Sequence, residues 1–178
     1  MKNILAIPTR RRRAEFLAAV ARSRELHGHW VSPPRSAEEF DQNLKRFDSP
    51  VHIGYWILTE DDEIAGVINI NEIVRGTFRS GYLGYYSLVP HNGPGYMVAG
   101  IRAVVSKAFR ELRLHRLEAN IQPGNDRSRQ LVQRLGFRLE GFSPRYLKIA
   151  ARWRDHERWA LTAEDWTRVR SGDKARSR

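Results

Sequence analysis

One stretch constrains the fold more than any other, because residues 80–112 combine the signals of a strand, a glycine-rich turn and a long helix. Residues 82–89 are apolar and aromatic, which is typical of a buried strand. The sequence Pro-His-Asn-Gly-Pro-Gly at 90–95 predicts a loop. From Met97 to Leu112 apolar residues recur at helical spacing. Such a unit places free backbone N–H groups and the positive end of a helix dipole at one point, so it predicts a phosphate or pyrophosphate ligand.

The same turn has a plainer interpretation, in which glycine is needed only for its backbone angles. Pro94 has no N–H to donate to an anion. Proline is nevertheless common at the start of a helix, where the missing donor does little harm. On this stretch alone both interpretations stay open.

The composition narrows the class of protein. A chain of 178 residues favours one domain with a substantial core, and the lack of cysteine excludes disulfides, thiolate metal sites and a covalent cysteine intermediate. The formal net charge of +11 predicts attraction to polyanions such as RNA, a ribosome surface or a phosphorylated cofactor, unless it serves only solubility. No apolar run could span a membrane, and the N-terminal charges follow an apolar segment, so we expect a cytoplasmic protein.

The predicted order along the chain is helices, three antiparallel strands, a helix, a strand, a helix and a final hairpin. Two helices come first, the second opened by a capping box at Ser36 and Glu39. A short helix is N-capped by Asn125 and ends at Gly136. The order predicts a mixed α/β or α+β sheet covered by helices. The predicted strands are residues 51–59, 64–74, 82–89, 114–122, 137–140 with 146–149, and 153–161.

Five short motifs follow one another along the chain. They are Leu83-Gly84-Tyr85, Asn92-Gly93-Pro94-Gly95-Tyr96-Met97, Asn125-x-x-Ser128, Leu135-Gly136-Phe137 and Glu140-Gly141. The pattern resembles the GNAT superfamily of acetyl-CoA-dependent N-acetyltransferases over roughly residues 36–166. Segments 74–78, 146–149 and 153–156 resemble the ribosomal-protein-alanine N-acetyltransferase branch. Asn92 and Pro94 depart from the family pattern, and only residues 3–7 could supply its first strand.

The resemblance implies one α/β (α+β) domain over residues 1–166, followed by a basic, flexible tail at 167–178. It implies a mixed, mostly antiparallel sheet with helices on both faces and a V-shaped splay between the fourth and fifth strands. Acetyl-CoA would be the co-substrate, and no metal is expected. The pantetheine arm would bond to the backbone around Ser87, and the loop before the long helix would hold the pyrophosphate. The residues implied for cofactor binding are Ser87, Leu88, Val89, Asn92, Gly93, Pro94, Gly95, Tyr96, Met97, Asn125 and Ser128.

The reaction implied is direct attack of an amine on the acetyl thioester. Ser128 is the candidate acid for the leaving thiolate, although a serine in a first helical turn can simply bond its own backbone. Glu118 is the first candidate base, with Glu72 and Glu140 as further candidates. A base is less necessary for an α-amine, whose pKa is about 8, than for lysine at about 10.4. This difference favours a protein N-terminus as the acceptor.

The predicted acceptor-binding residues are Trp30, Tyr85, Asp155 and His156. Asp155 could hold a cationic amine and His156 could relay a proton, or Asp155 could form a salt bridge with Arg154 or Arg152. The expected acceptor is the N-terminus of a protein such as a ribosomal protein. The alternatives are a small amine (a polyamine, amino sugar or antibiotic) and a non-catalytic module that binds RNA or the ribosome. We expect ribosome or RNA contact through the basic tails, no membrane contact, and a monomer or homodimer.

Overall fold

The structure is a computed structural model that describes residues 4–93 and 95–176. It has one sheet flanked by helices. The described strands are β1 (Leu5–Ala6), β2 (Ile53–Leu58), β3 (Ile64–Val74), β4 (Ser80–Ser87), β5 (Arg116–Ile121), β6 (Arg138–Ile149) and β7 (Arg152–Thr162). The described helices are α1 (Arg13–Arg22), α2 (Arg24–His27), α3 (Ala37–Arg46), α4 (Tyr96–Arg110), α5 (Asp126–Arg134) and α6 (Ala163–Arg176), with a 3-10 turn at Arg10–Arg12.

The sheet order is β1-β2-β3-β4-β5-β7-β6, and every neighbouring pair is antiparallel except β4 and β5. The mixed, mostly antiparallel sheet predicted from the sequence is therefore confirmed. The short β1 pairs with β2, so the segment 3–7 does contribute a first strand.

The parallel pair parts halfway along its length. The register runs from Ser80 opposite Arg116 to Leu83 opposite Ala119, and stops there. Beyond that point β4 continues to Ser87 and β5 to Ile121 without pairing with each other. The predicted splay between the fourth and fifth strands is confirmed, and it opens a gap at the carboxyl ends of both strands.

Each face of the sheet carries its own buried cluster. Helices α4 and α5 pack on one face, where Ile101, Val104 and Val132 join strand residues such as Leu117. Helices α1 and α3 cover the β2–β4 part of the other face around Trp56. Helix α4 lies very close to the sheet, since a Cβ on Gly100 would be 2.6 Å from Ile57 Cδ1. Glycine at that position therefore fixes how near α4 comes to β2 and β3.

The first turn of α3 departs from its predicted capping pattern. Ser36 Oγ accepts from the Glu39 N–H at 3.1 Å, but the Glu39 carboxylate accepts from the Arg35 N–H at 2.6 Å rather than from Ser36. The predicted capping box is therefore only half formed. Helix α6 crosses residue 166, so the described part of the predicted tail, 167–176, has helical backbone. No helix in the described ranges is long and apolar enough to cross a bilayer.

Candidate active site

The gap between β4 and β5 exposes backbone groups. The Leu88 N–H donates to the Ala65 C=O at 2.8 Å, on the β3 side. Because backbone groups alternate sides along an antiparallel ladder, Tyr85 and Ser87 turn theirs towards β5, where pairing has ended. One of these groups already has a partner, since His27 Nε2 lies 2.9 Å from the Ser87 C=O. A carbonyl only accepts, so His27 donates from Nε2.

The head of α4 lies beside this gap and is suited to an anion. Gly95 precedes the helix with φ +84°, in the left-handed region that favours glycine. The N–H groups of Tyr96 and Met97 open the helix without an acceptor in the described part of the chain. Such groups, together with the helix dipole, stabilise negative charge. The Gly95 N–H is not free in the same way, because it donates to the Gly93 C=O at 3.0 Å.

The acidic turn at residues 60–63 contacts two side chains of this loop. Tyr96 Oη donates to Glu60 at 2.7 Å, and this bond raises the pKa of Tyr96. His91 Nε2 lies 2.8 Å from Glu63 Oε2. These contacts fix the two side chains that flank the glycines, so the loop is held open without burying its free amides.

A cavity of about 390 Å³ joins the gap to the head of α4. Two arginines of α5, Arg127 and Arg134, also line it. They are two helical turns apart, and neither has an ion-pair partner among residues 4–93 and 95–176. Free amides and uncompensated arginines in one cavity suit a diphosphate-bearing ligand with an extended arm.

Ser128 and Tyr85 mark the inner end of this cavity. The Ser128 Oγ and Tyr85 Oη are 2.5 Å apart. The Ser128 N–H donates to Asn125 Oδ1 at 3.2 Å, so the Asn125 side chain caps α5 and the Ser128 hydroxyl is not used for capping. Burial raises the pKa of Tyr85 to about 12, so its hydroxyl stays protonated near neutral pH. The pair is therefore a short chain of two hydroxyl groups.

A second cavity, of about 560 Å³, meets the first at this pair. Both are lined by Trp30, Val31, Tyr85, Asn125 and Ser128. The second lies against strands β3 to β7, and its walls are mainly aromatic, aliphatic and amide side chains. Glu72 is the only carboxylate on its walls among the residues that the structure describes.

His156 lies on the wall of the second cavity and is 2 % exposed. Its Nδ1 is 2.9 Å from the Arg154 C=O, so Nδ1 carries the hydrogen and Nε2 keeps a lone pair. Burial lowers the pKa of His156, so the ring is neutral near pH 7. A neutral imidazole with a free lone pair can accept a proton from a molecule in this cavity.

The comparison with known families agrees with this geometry. The sequence profile described as the acetyltransferase (GNAT) domain matches residues 4–138, about three quarters of the chain. The chain belongs to the GNAT acetyltransferase family. The resemblance inferred from the five motifs is confirmed, and with it membership of a family of acetyl-CoA-dependent N-acetyltransferases.

Individual GNAT relatives are similar over part of their length. The Bacillus subtilis protein named Probable N-acetyltransferase YjcK is 35% identical over 71% of this chain and 69% of its own. The [Ribosomal protein uS5]-alanine N-acetyltransferase of Escherichia coli is 43% identical over 61% of this chain and 56% of its own. This chain thus matches less than two thirds of the Escherichia coli relative. The structure of Mycobacterium smegmatis RimJ in complex with CoA-disulfide aligns at TM-score 0.81 and 24% identity, over 95% of this chain and 88% of that chain.

Most residues predicted to bind the GNAT co-substrate come together around the first cavity. Its walls include Ser87, Asn92, Gly93, Gly95, Tyr96, Met97, Asn125 and Ser128. Pro94 lies outside the described residues. Leu88 and Val89, which were also predicted to bind the co-substrate, are not on the cavity wall. Leu88 is buried in the core with its N–H on Ala65, and the Val89 N–H donates to Ser23 Oγ at 2.9 Å.

Glu118 was predicted as a base but lies on neither cavity wall. Its carboxylate accepts from Arg116 Nε at 2.9 Å, and Arg116 also holds Glu140 at 2.5 Å. These bonds raise the pKa of Arg116 and lower that of Glu140. Both carboxylates lie off the cavity walls, which disfavours Glu118 and Glu140 as bases, and its lowered pKa also makes Glu140 a poor proton acceptor.

The predicted acceptor-binding residues divide in the same way. Trp30, Tyr85 and His156 line the second cavity. Asp155 does not, because its carboxylate accepts from the Arg145 N–H at 2.7 Å across the β6–β7 hairpin. This bond also differs from the alternative prediction of a salt bridge to Arg154 or Arg152.

Sequence reasoning missed four cationic or imidazole side chains at the first cavity: His27, His91, Arg127 and Arg134. A signal for the arginines was available, since Arg127, Leu131 and Arg134 recur at helical spacing on α5. No sequence signal connects His27 with Ser87, because the two are 60 residues apart.

Proposed function

We propose that this enzyme transfers the acetyl group of acetyl-CoA to the N-terminal α-amine of a protein. The observation that carries the proposal is the meeting of two cavities at the Tyr85–Ser128 pair, 2.5 Å apart. One cavity has the charge and shape for a long diphosphate ligand. The other is nearly free of charged side chains and reaches the same two hydroxyl groups.

The residues of the first cavity fit acetyl-CoA, which when bound supplies an acetyl thioester at the end of its pantetheine arm. The Tyr96 and Met97 amides would bind the diphosphate at the head of α4. Arg127 and Arg134 would add charge to this site. The gap-facing backbone of Tyr85 and Ser87 would bond to the arm and lead it towards Ser128.

Three side chains on the cavity walls carry groups that can transfer protons. His156 Nε2 would accept the proton that the acceptor amine loses as it bonds to the acetyl carbon. Ser128 Oγ would donate a proton to the sulfur as the carbon–sulfur bond breaks. The Tyr85 hydroxyl, protonated because of its high pKa, would pass a proton to Ser128 in the same step.

The lining of the second cavity supports an α-amine rather than a polyamine. A polycation needs several carboxylates, whereas Glu72 is the only one on this wall in the described ranges. An α-amine with a pKa of about 8 is partly neutral near pH 7, so one histidine suffices as the acceptor of its proton. The name of the Escherichia coli relative leads us to propose a ribosomal protein beginning with alanine as the first acceptor to test.

The test is an assay of thiol release with matched acceptors. One peptide begins with alanine and contains an internal lysine, and its control has an acetylated N-terminus but the same lysine. We expect acetyl-CoA turnover with the first peptide and none with the second, with spermidine or with an amino sugar. Turnover with only the small amines would replace this proposal by small-amine acetylation. No turnover, with salt-sensitive RNA binding, would favour a non-catalytic module.

A further inference from the structure

We propose that Arg152 and Arg154 form a cationic rim on the acceptor cavity, which selects peptides with an acidic side chain shortly after the acetylated amine. The inference rests on the proposed function, because it concerns the residues next to the α-amine in a peptide acceptor. Acetylation of an α-amine does not by itself require an acidic side chain near that amine.

The register of the β6–β7 hairpin places both arginines beside the cavity. Arg152 lies opposite Ile149, and Arg154 lies opposite Leu147. Directly opposed residues in an antiparallel pair share a face, with their Cβ atoms about 5 Å apart. Leu147 and Ile149 both line the acceptor cavity, so the two arginines flank its mouth.

Neither arginine is neutralised by the protein. No ion pair joins Arg152 or Arg154 to a carboxylate in the described part of the chain, whereas Arg116 and Arg129 on neighbouring elements are paired with glutamates. The Nε of Arg154 also has no hydrogen-bond partner among residues 4–93 and 95–176. Arg154 therefore carries an unpaired positive charge and an unsatisfied donor, and a carboxylate is the group that compensates such a charge best.

The other charges near the cavity do not offset this rim. Glu72 is on β3, which β4 and β5 separate from β7 in the sheet, and its Oε1 lies 3.8 Å from His52 Nε2. Asp155 lies between Arg154 and His156 on β7, so its side chain points to the opposite face of the strand. A peptide extending from Ser128 towards β6 would therefore meet two uncompensated positive charges. An acidic side chain would be attracted there, and a basic one repelled.

The experiment compares alanine-initiated peptides that differ only in one residue. Glutamate is moved along the peptide one position at a time, with glutamine and lysine peptides as references. At the best position we expect KM for the glutamate peptide to be about threefold to fivefold below that of the glutamine peptide, at unchanged kcat. The preference should shrink as salt is raised. Equal KM values for all three peptides at every position would overturn the proposal.

Arg152→Gln and Arg154→Gln should each remove part of the preference and leave the KM of the glutamine peptide unchanged. Lys148→Gln is the matched control, because Lys148 is exposed on the same hairpin and pairs with Trp153 on the opposite face. If Lys148→Gln abolishes the preference as fully as the arginine variants, general surface charge explains it and the rim does not.

A double Arg152→Glu, Arg154→Glu variant should reverse the preference in favour of the lysine peptide. Both peptides are compared on one enzyme, so a loss of stability cannot imitate the reversal. A variant that still prefers the glutamate peptide contradicts the proposal. The proposed function fails separately, since it requires that at least one of these α-amines is acetylated at all.

Discussion

The Tyr85–Ser128 pair gives the most informative test of the chemistry, because its two hydroxyl groups should act as one unit. They are 2.5 Å apart, so the Ser128 hydroxyl has the Tyr85 hydroxyl as a direct hydrogen-bond partner. If Ser128 donates the proton that Tyr85 replaces, removing Ser128 makes Tyr85 irrelevant. The double variant should then be no slower than Ser128→Ala alone.

The expected magnitudes derive from this contact. Ser128→Ala removes a general acid, which lowers kcat about 10²-fold, the low end of the usual range for acid–base catalysis. Tyr85→Phe keeps the ring and removes one hydrogen bond worth about 1.4 kcal/mol, so kcat should fall about tenfold. Independent action would give about 10³-fold for the double variant, whereas a coupled pair gives about 10²-fold.

The assay is steady-state thiol release for the four members of the cycle at saturating acetyl-CoA and alanine-initiated peptide. KM for acetyl-CoA should stay unchanged within about twofold, because the groups proposed to bind the diphosphate are on α4 and α5 rather than in the Tyr85–Ser128 pair. Tyr55→Phe is the control, since it makes the same chemical change in the core cluster beneath α4, away from both cavities. Multiplicative losses in the double variant would refute the two-hydroxyl chain.

Three further predictions concern the loop, the proposed base and the buried histidines. Gly95→Ala should weaken coenzyme A binding, because alanine at φ +84° is strained by roughly 1 kcal/mol, even though no atom of the described residues lies within 4 Å of its Cβ. Calorimetry measures this affinity, and an unchanged affinity would mean that the loop conformation is not needed. His156→Gln should lower kcat by about 10² with little change in KM for acetyl-CoA, and wild-type activity should keep an acidic limb below pH 6.5 that the variant lacks; a variant with the same limb would remove His156 as the proton acceptor. The pKa values of His27 and His156 are both lowered by burial, so the unfolded state binds more protons below about pH 6.5; the free energy of unfolding should fall from there until the pH reaches the lowered native pKa values, and denaturant titrations showing no such fall would contradict the assigned neutral states.

The parts of the fold that depend on local sequence were predictable. The change from strand to helical spacing across residues 80–112 predicted β4, the loop and α4, because hydrophobic period reports local geometry. Asn125 was predictable as a cap for the same reason, since an N-cap acts on the N–H three residues later.

The parts that depend on long-range pairing were not. No local sequence pattern indicates that Ser23 Oγ accepts from the Val89 N–H or that His27 bonds to the Ser87 C=O. The hydrogen bond from Arg116 to Glu118 is also not predictable, because strand alternation gives the face on which a side chain lies but not its partner. The register shift between Ser143 and Leu147 decides which hairpin residues face the acceptor cavity, and irregularities of this kind have no clear sequence signature.

The proposed chemistry requires a co-substrate held between β4 and β5 at the head of α4. Hydrogen–deuterium exchange with and without coenzyme A measures this directly, since it reports the protection of individual backbone amides. We predict slower exchange in segments 84–88 and 95–98 on binding, with no change in α3 (Ala37–Arg46), which lies on the opposite face. Binding of coenzyme A that leaves 84–88 and 95–98 unprotected would contradict this binding mode.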